Sequence, residues 1–110
     1  MLTRFYIARE ENTRRSVDFI NSKMRGTKTM DVFENARVDP ARPIEETIAN
    51  LKQLVKEGKF DHIGMSECNA ETLRKANAVH PITHVEIEVS PFCYERQTQE
   101  GMTCVYSSWE

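Results

Sequence analysis

Apolar positions recur along this chain at intervals of three or four residues in three stretches, and more densely in the segments between them, so helices and strands should alternate. Val17, Ile20 and Met24 repeat among charged residues after Glu10-Glu11-Asn12, which predicts an amphipathic helix over 11–25 ending at Gly26. Met30-Asp31-Val32-Phe33 is a short β-prone run, giving a strand over 30–34. The prolines at Pro40 and Pro43 then forbid a continuing helix. From Pro43 the stripe Ile44, Ile48, Leu51, Val55 predicts a helix over 43–57, with Glu45 and Glu46 at the positive end of its dipole and Gly58 as its stop. A strand follows over 61–65, and then a helix over 70–79 with Asn69 as N-cap and Leu73 and Ala76 inward. The last periodic segment, 84–89, alternates Val85, Ile87 and Val89 with Glu86 and Glu88, which reads as a strand with one apolar and one charged face. Beyond residue 91 no period is sustained, and that stretch is read as irregular.

Strands alternating with helices specify right-handed parallel βαβ units. Three such units could form a small open α/β sheet or an arc of a (β/α)8 TIM barrel. Both faces of a doubly wound sheet are covered by helices, so its strands tend to be apolar throughout. A barrel strand instead turns one face to the lumen, where polar groups near the C-terminal rim form the site. Glu86 and Glu88 favour the barrel, with the solvated face of an edge strand as the alternative. The fold class is therefore α/β, a partial barrel of about three parallel βα units. Its expected core is Ile44, Ile48, Leu51, Val55, Ile63, Leu73, Val85 and Ile87.

Composition narrows the function. Fifteen Lys and Arg against seventeen Asp and Glu give a net charge of -2, far from the basic footprint of a nucleic-acid binder. No window approaches the roughly 18–20 apolar residues of a membrane span, and the N-terminal segment lacks the apolar run of a signal peptide, so a cytoplasmic protein is expected. Cys68, Cys93 and Cys104 show neither C-x-x-C nor a His at ligand spacing, and reduced thiols without zinc are expected. His80 and His84 flank a strand start at the presumed lower rim and His62 begins a strand, so all three read as structural or exposed. Tyr6 and Tyr94 have no nearby Lys to tune a phenol. The 110 residues allow one domain, whereas a whole barrel takes eight strands and roughly 250 residues.

On the rim positions of such a barrel, Glu34 to Asp39, Ser66 with Glu67, and Glu88 to Ser90, the sequence resembles the aldo-keto reductases. The words that carry the resemblance are Asp31-Val32-Phe33-Glu34-Asn35-Ala36-Arg37-Val38-Asp39-Pro40, Pro43-Ile44-Glu45-Glu46-Thr47, Ile63-Gly64-Met65-Ser66-Glu67 and Val85-Glu86-Ile87-Glu88-Val89-Ser90-Pro91-Phe92. Ala36-Arg37-Val38-Asp39-Pro40, with Ala70-Glu71-Thr72-Leu73-Arg74-Lys75-Ala76 and Val79-His80-Pro81-Ile82, looks most like the fungal pyridoxal-reductase-like branch. The match runs over about 10–92, with 93–110 a divergent tail of the same single, incomplete domain.

The resemblance implies NADP(H)-dependent reduction of aldehydes and ketones, pyridoxal among them, with small-molecule carbonyl substrates. By motif position it places Ser66, Glu67 and Glu86 against the nicotinamide carboxamide, where the family more often carries Ser-Asn and Gln. It assigns no catalytic residue here. The family's Asp, Tyr and Lys belong to strands that would precede Asp31 and find no counterpart in this sequence, and its His position is Ala36. The expectation is a truncated fragment of the central barrel strands, inactive alone, whose open edges could self-associate. The alternative is a non-catalytic α/β interaction module.

Overall fold

The computed structural model describes residues 10–35, 39–66, 68–87, 90–91 and 99–100. Six elements alternate: α1 (Glu10–Lys23), β1 (Met30–Glu34), α2 (Ile44–Lys56), β2 (Phe60–Ser66), α3 (Ala70–Val79) and β3 (Ile82–Glu86). The strands form one sheet in the order β1-β2-β3, and both pairings are parallel. Parallel neighbours need a crossover, and α2 and α3 supply the two crossovers and pack against each other.

Local chemistry sets the element ends. Asn69 caps α3 as its sequence position implies, its side chain accepting the Thr72 N–H at 2.8 Å. α2 stops in a Schellman turn: the Gly58 N–H donates to the Val55 carbonyl and the Lys59 N–H to the Leu54 carbonyl, at 3.0 and 3.1 Å. The turn requires the φ of +75° that Gly58 adopts. α1 ends two residues earlier than its pattern suggests, because Arg25 at φ 52° and Gly26 at φ 75° already leave the helical region.

The core is one cluster between the helices and the sheet. Ile48, Leu51, Leu54, Phe60, Ile63 and Val17 are all but inaccessible, and the Phe33 and Phe60 rings pack at 5.4 Å between centroids. Of the eight expected core residues, Ile44, Ile48, Leu51, Ile63 and Leu73 are buried. Val55, Val85 and Ile87 are only half-buried. On α2 the fourth inward position is Leu54, a helical turn and a half beyond Ile48, and Val55 sits at the margin of the stripe. Val85 belongs to β3, an edge strand of the described sheet, and Ile87 lies past its end. On α1 the buried residues are Thr13 and Val17, Met24 in the turn after the helix packs partly against the core, and Ile20 is 37% exposed. Cys68 is a thiol half-buried against the core.

β3 starts at Ile82, two residues before the expected 84, and ends at Glu86. Glu88 and Val89, expected within it, lie outside the described residues, as do Ala36, Glu67 and most of the tail. Within that tail only Gln99 and Glu100 are described, and both are helical.

Candidate functional site at the C-terminal ends of the strands

The β2–β3 register contains a bulge. Ile63 pairs with Ile82, but Gly64 pairs with His84, so Thr83 is an extra residue on β3. On the other side Gly64 pairs with Glu34. Glu34, Gly64 and His84 therefore form one row across the three strands, and Ser66 with Glu86 forms the row two residues further on, beyond Met65 and Val85.

Gly64 in the middle of the row has no side chain to separate its neighbours. A Cβ there would stand 3.1 Å from Glu34 Oε2 and 3.3 Å from the Glu34 Cβ, so the glycine is the gap into which the carboxylate leans. Across the gap His84 Nε2 lies 3.6 Å from Glu34 Oε2 and 3.3 Å from Glu86 Oε1. The one ring nitrogen thus faces two carboxylates, contacts that become ion pairs when the imidazole is protonated. Burial pushes the Glu34 carboxyl above its ordinary pKa, and the nearby Glu86 charge adds to this. His84 and a hydrogen bond with Ser66 oppose it. Neither β1, β2 nor β3 carries a lysine or arginine, so this end of the sheet is acidic.

Two of the three cofactor positions implied by the sequence are brought together here: Ser66 and Glu86 are register partners at the strand ends. Glu67 lies outside the described residues. A carboxamide presents two N–H donors and one carbonyl acceptor. The Glu34 and Glu86 carboxylates can accept the former, and the Ser66 hydroxyl, which has a single hydrogen, can donate to the latter once it turns away from Glu34, so these residues fit that group. The same strands offer no fixed cation for a dinucleotide's phosphates.

His84 corrects the sequence reading. It is not at the lower rim but in mid-strand, and its ring reaches carboxylates at the upper end. The early start of β3 and the bulge together move it there, and a bulge leaves no mark in hydrophobic periodicity. Glu34 was legible as a rim residue from its place at the end of β1. Its pairing with His84 was not. His62, expected to begin β2, is its third residue and is exposed, and His80 caps α3 with Nδ1 2.9 Å from the Pro81 carbonyl.

Relatives place this architecture. Aldo-keto reductase str7 of Strobilurus tenacellus is 52% identical over 67 residues, 61% of this chain and 20% of that protein. A Glycine max protein that bears the aldo-keto reductase name is 52% identical over 61 residues, 56% of this chain and 18% of its own length. The chain thus spans about a fifth of the length of these curated relatives. Among solved structures, the thermostable aldo-keto reductase Tm1743 superimposes at a TM-score of 0.67 over 74% of this chain and 30% of its own, with 23% identity. That likeness is one of fold, and it makes the three parallel βα units an arc of a (β/α)8 barrel, as the polar face of β3 implied. The model of the Aldo/keto reductase family matches residues 6–108, and the chain belongs to that family.

Proposed function

We infer that this chain is the central arc of an NADP(H)-dependent carbonyl reductase, with Ser66, Glu67 and Glu86 facing the nicotinamide carboxamide, and that by itself the arc does not turn over. The observation that carries the reading is the register pairing of Ser66 with Glu86 at the C-terminal strand ends, in a chain of this family. The cofactor, when bound to a family member, supplies hydride to a carbonyl. This chain's part is to hold the amide end of the ring, with Ser66 donating and Glu86 accepting.

Two features support inactivity of the arc. Protonation of the product oxygen is worth about 10²–10⁴-fold when a positioned acid provides it, and the sequence presents no Tyr-Lys-Asp set for the task. Among the described residues the sheet has three strands, with β1 and β3 at its edges, an arrangement in which a further chain could pair and the chain self-associate. The branch is read as the fungal pyridoxal-reductase-like one, with a small carbonyl such as pyridoxal as substrate and the cytoplasm as its place.

NADPH fluorescence titration alongside loss of NADPH absorbance with pyridoxal tests the reading. Weak binding that Ser66→Ala weakens further, without turnover, is expected. Steady turnover by the chain alone would overturn the inactivity, and binding indifferent to both Ser66→Ala and Glu86→Ala would overturn the site.

A further inference from the structure

The geometry points to a divalent transition-metal site of the zinc type, formed by Glu34 Oε2, His84 Nε2 and Glu86 Oε1 across the gap at Gly64. The three residues come from two strands that are not neighbours, β1 and β3, and one ligand atom of each lies within 4.8 Å of the others. A tetrahedral cation with ligands at about 2.0–2.2 Å sets its donor atoms about 3.3–3.6 Å apart. The imidazole already stands at that spacing from both carboxylates, 3.3 Å from one and 3.6 Å from the other. Only the two carboxylate oxygens need to draw together, and each acid can rotate or present its second oxygen.

Three further observations separate this row from a chance cluster of surface acids. The bulge at Thr83 turns His84 towards Gly64, and without it the register that pairs Ile63 with Ile82 would bring Thr83 there instead. Gly64 leaves the room, since any larger residue would press on Glu34 Oε2. Glu34 has only 20% of its side chain exposed, so one carboxylate is held within the sheet while Glu86, at 67%, is free to adjust. One imidazole and two carboxylates select a borderline cation such as zinc over calcium or magnesium, which prefer all-oxygen shells. Three protein ligands leave the fourth position open. Glu34 and Glu86 are both shared with the proposed carboxamide contact, so a bound cation and the nicotinamide ring would compete for them.

Calorimetric titration of the metal-free whole chain with Zn2+, and visible absorption with Co2+ as the coordination probe, test the site without any cofactor. One equivalent should bind, with the intense absorption of tetrahedral cobalt. His84→Gln and Glu34→Gln should each weaken binding about tenfold or more, while His80→Gln leaves it unchanged, far-UV circular dichroism serving to confirm the fold of each. Should His84→Gln fail to fold, the exposed Glu86→Gln takes its place with the same expected loss. Absence of saturable binding overturns the proposal, as does binding that survives these substitutions, which would put the cation elsewhere on the chain.

Discussion

α1 and α2 are amphipathic helices of almost equal length, 14 and 13 residues, yet they are held in different ways. α2 lies against the middle strand with α1 on one side and α3 on the other, and buries Ile44, Ile48, Leu51 and Leu54. α1 lies over β1 at the edge of the sheet, buries only Thr13 and Val17, and leaves Phe19 61% exposed. Polar contacts do the remaining work. Asn21 donates to the Lys59 carbonyl at 2.7 Å and accepts the Met30 N–H at 3.3 Å, and Arg14 and Asp18 pair with Glu57 and Lys59. All of these but the Met30 contact converge on the turn that closes α2. In an arc of βα units a helix gains an apolar interface from each flanking helix, so the central helix is set by hydrophobic burial and the edge helix by side chains that clasp its neighbour's end.

The sharpest way to break that contrast is at Leu51. Leu51→Ala should destabilise by about 2–5 kcal/mol in urea denaturation, because a leucine 1% exposed leaves a cavity its neighbours cannot fill. A cost under about 1 kcal/mol would mean α2 is not docked. Ile20→Ala, at a position the same period nominates on α1, should change stability by no more than about 0.5 kcal/mol. Next in size is Asn21→Ala, at about 1–3 kcal/mol, since it removes one partner from two part-buried backbone groups. If it matched a surface alanine substitution instead, the clasp would be ornamental. A double-mutant cycle on Arg14 and Glu57, whose contact is 2.9 Å with each side chain 34% exposed, should return a coupling of only about 0.2–1 kcal/mol. That coupling should shrink further in high salt.

The same contrast marks what a reader of the sequence could see. Helices and strands alternate as the periodicity implied, because Gly58, Asn69 and the prolines punctuate the chain by local chemistry that needs no tertiary information. The apolar stripe of α2 is right apart from its last member, Leu54 in place of Val55, where two adjacent apolar residues both suit a helical period and Val55 is left at the margin of the core. Ile20 fails for a different reason. It shares the helical period of Val17 but is 37% exposed, so period alone does not establish burial. At the site, Ser66 and Glu86 were singled out by motif position, and what the structure adds is that they are partners in register, as parallel strands allow. His84 was not, since it depends on one unpaired residue, Thr83, in a strand whose pattern reads equally well without it.

The smallest effect expected is one of sign, and it tests whether the polar end of the sheet costs stability that the helices must offset. Burial and the Glu86 charge raise the pKa of Glu34 in the fold, so between the ordinary carboxylate pKa and the raised one the folded chain binds more protons than the unfolded chain. Stability contributed by protonated Glu34 is present below the ordinary value and is lost as pH rises through the raised one. At neutral pH the ionised group is therefore a small liability. Glu34→Gln keeps an acceptor for the Ser66 hydroxyl and removes the charge that faces Glu86 and His84. In metal-free buffer its thermal midpoint should exceed that of the parent chain at pH 7, and the gain should close as pH falls below the carboxylate range. A midpoint lower than the parent's at pH 7 would show that the His84 contact outweighs burial and the Glu86 repulsion, and that this end of the sheet stabilises the fold.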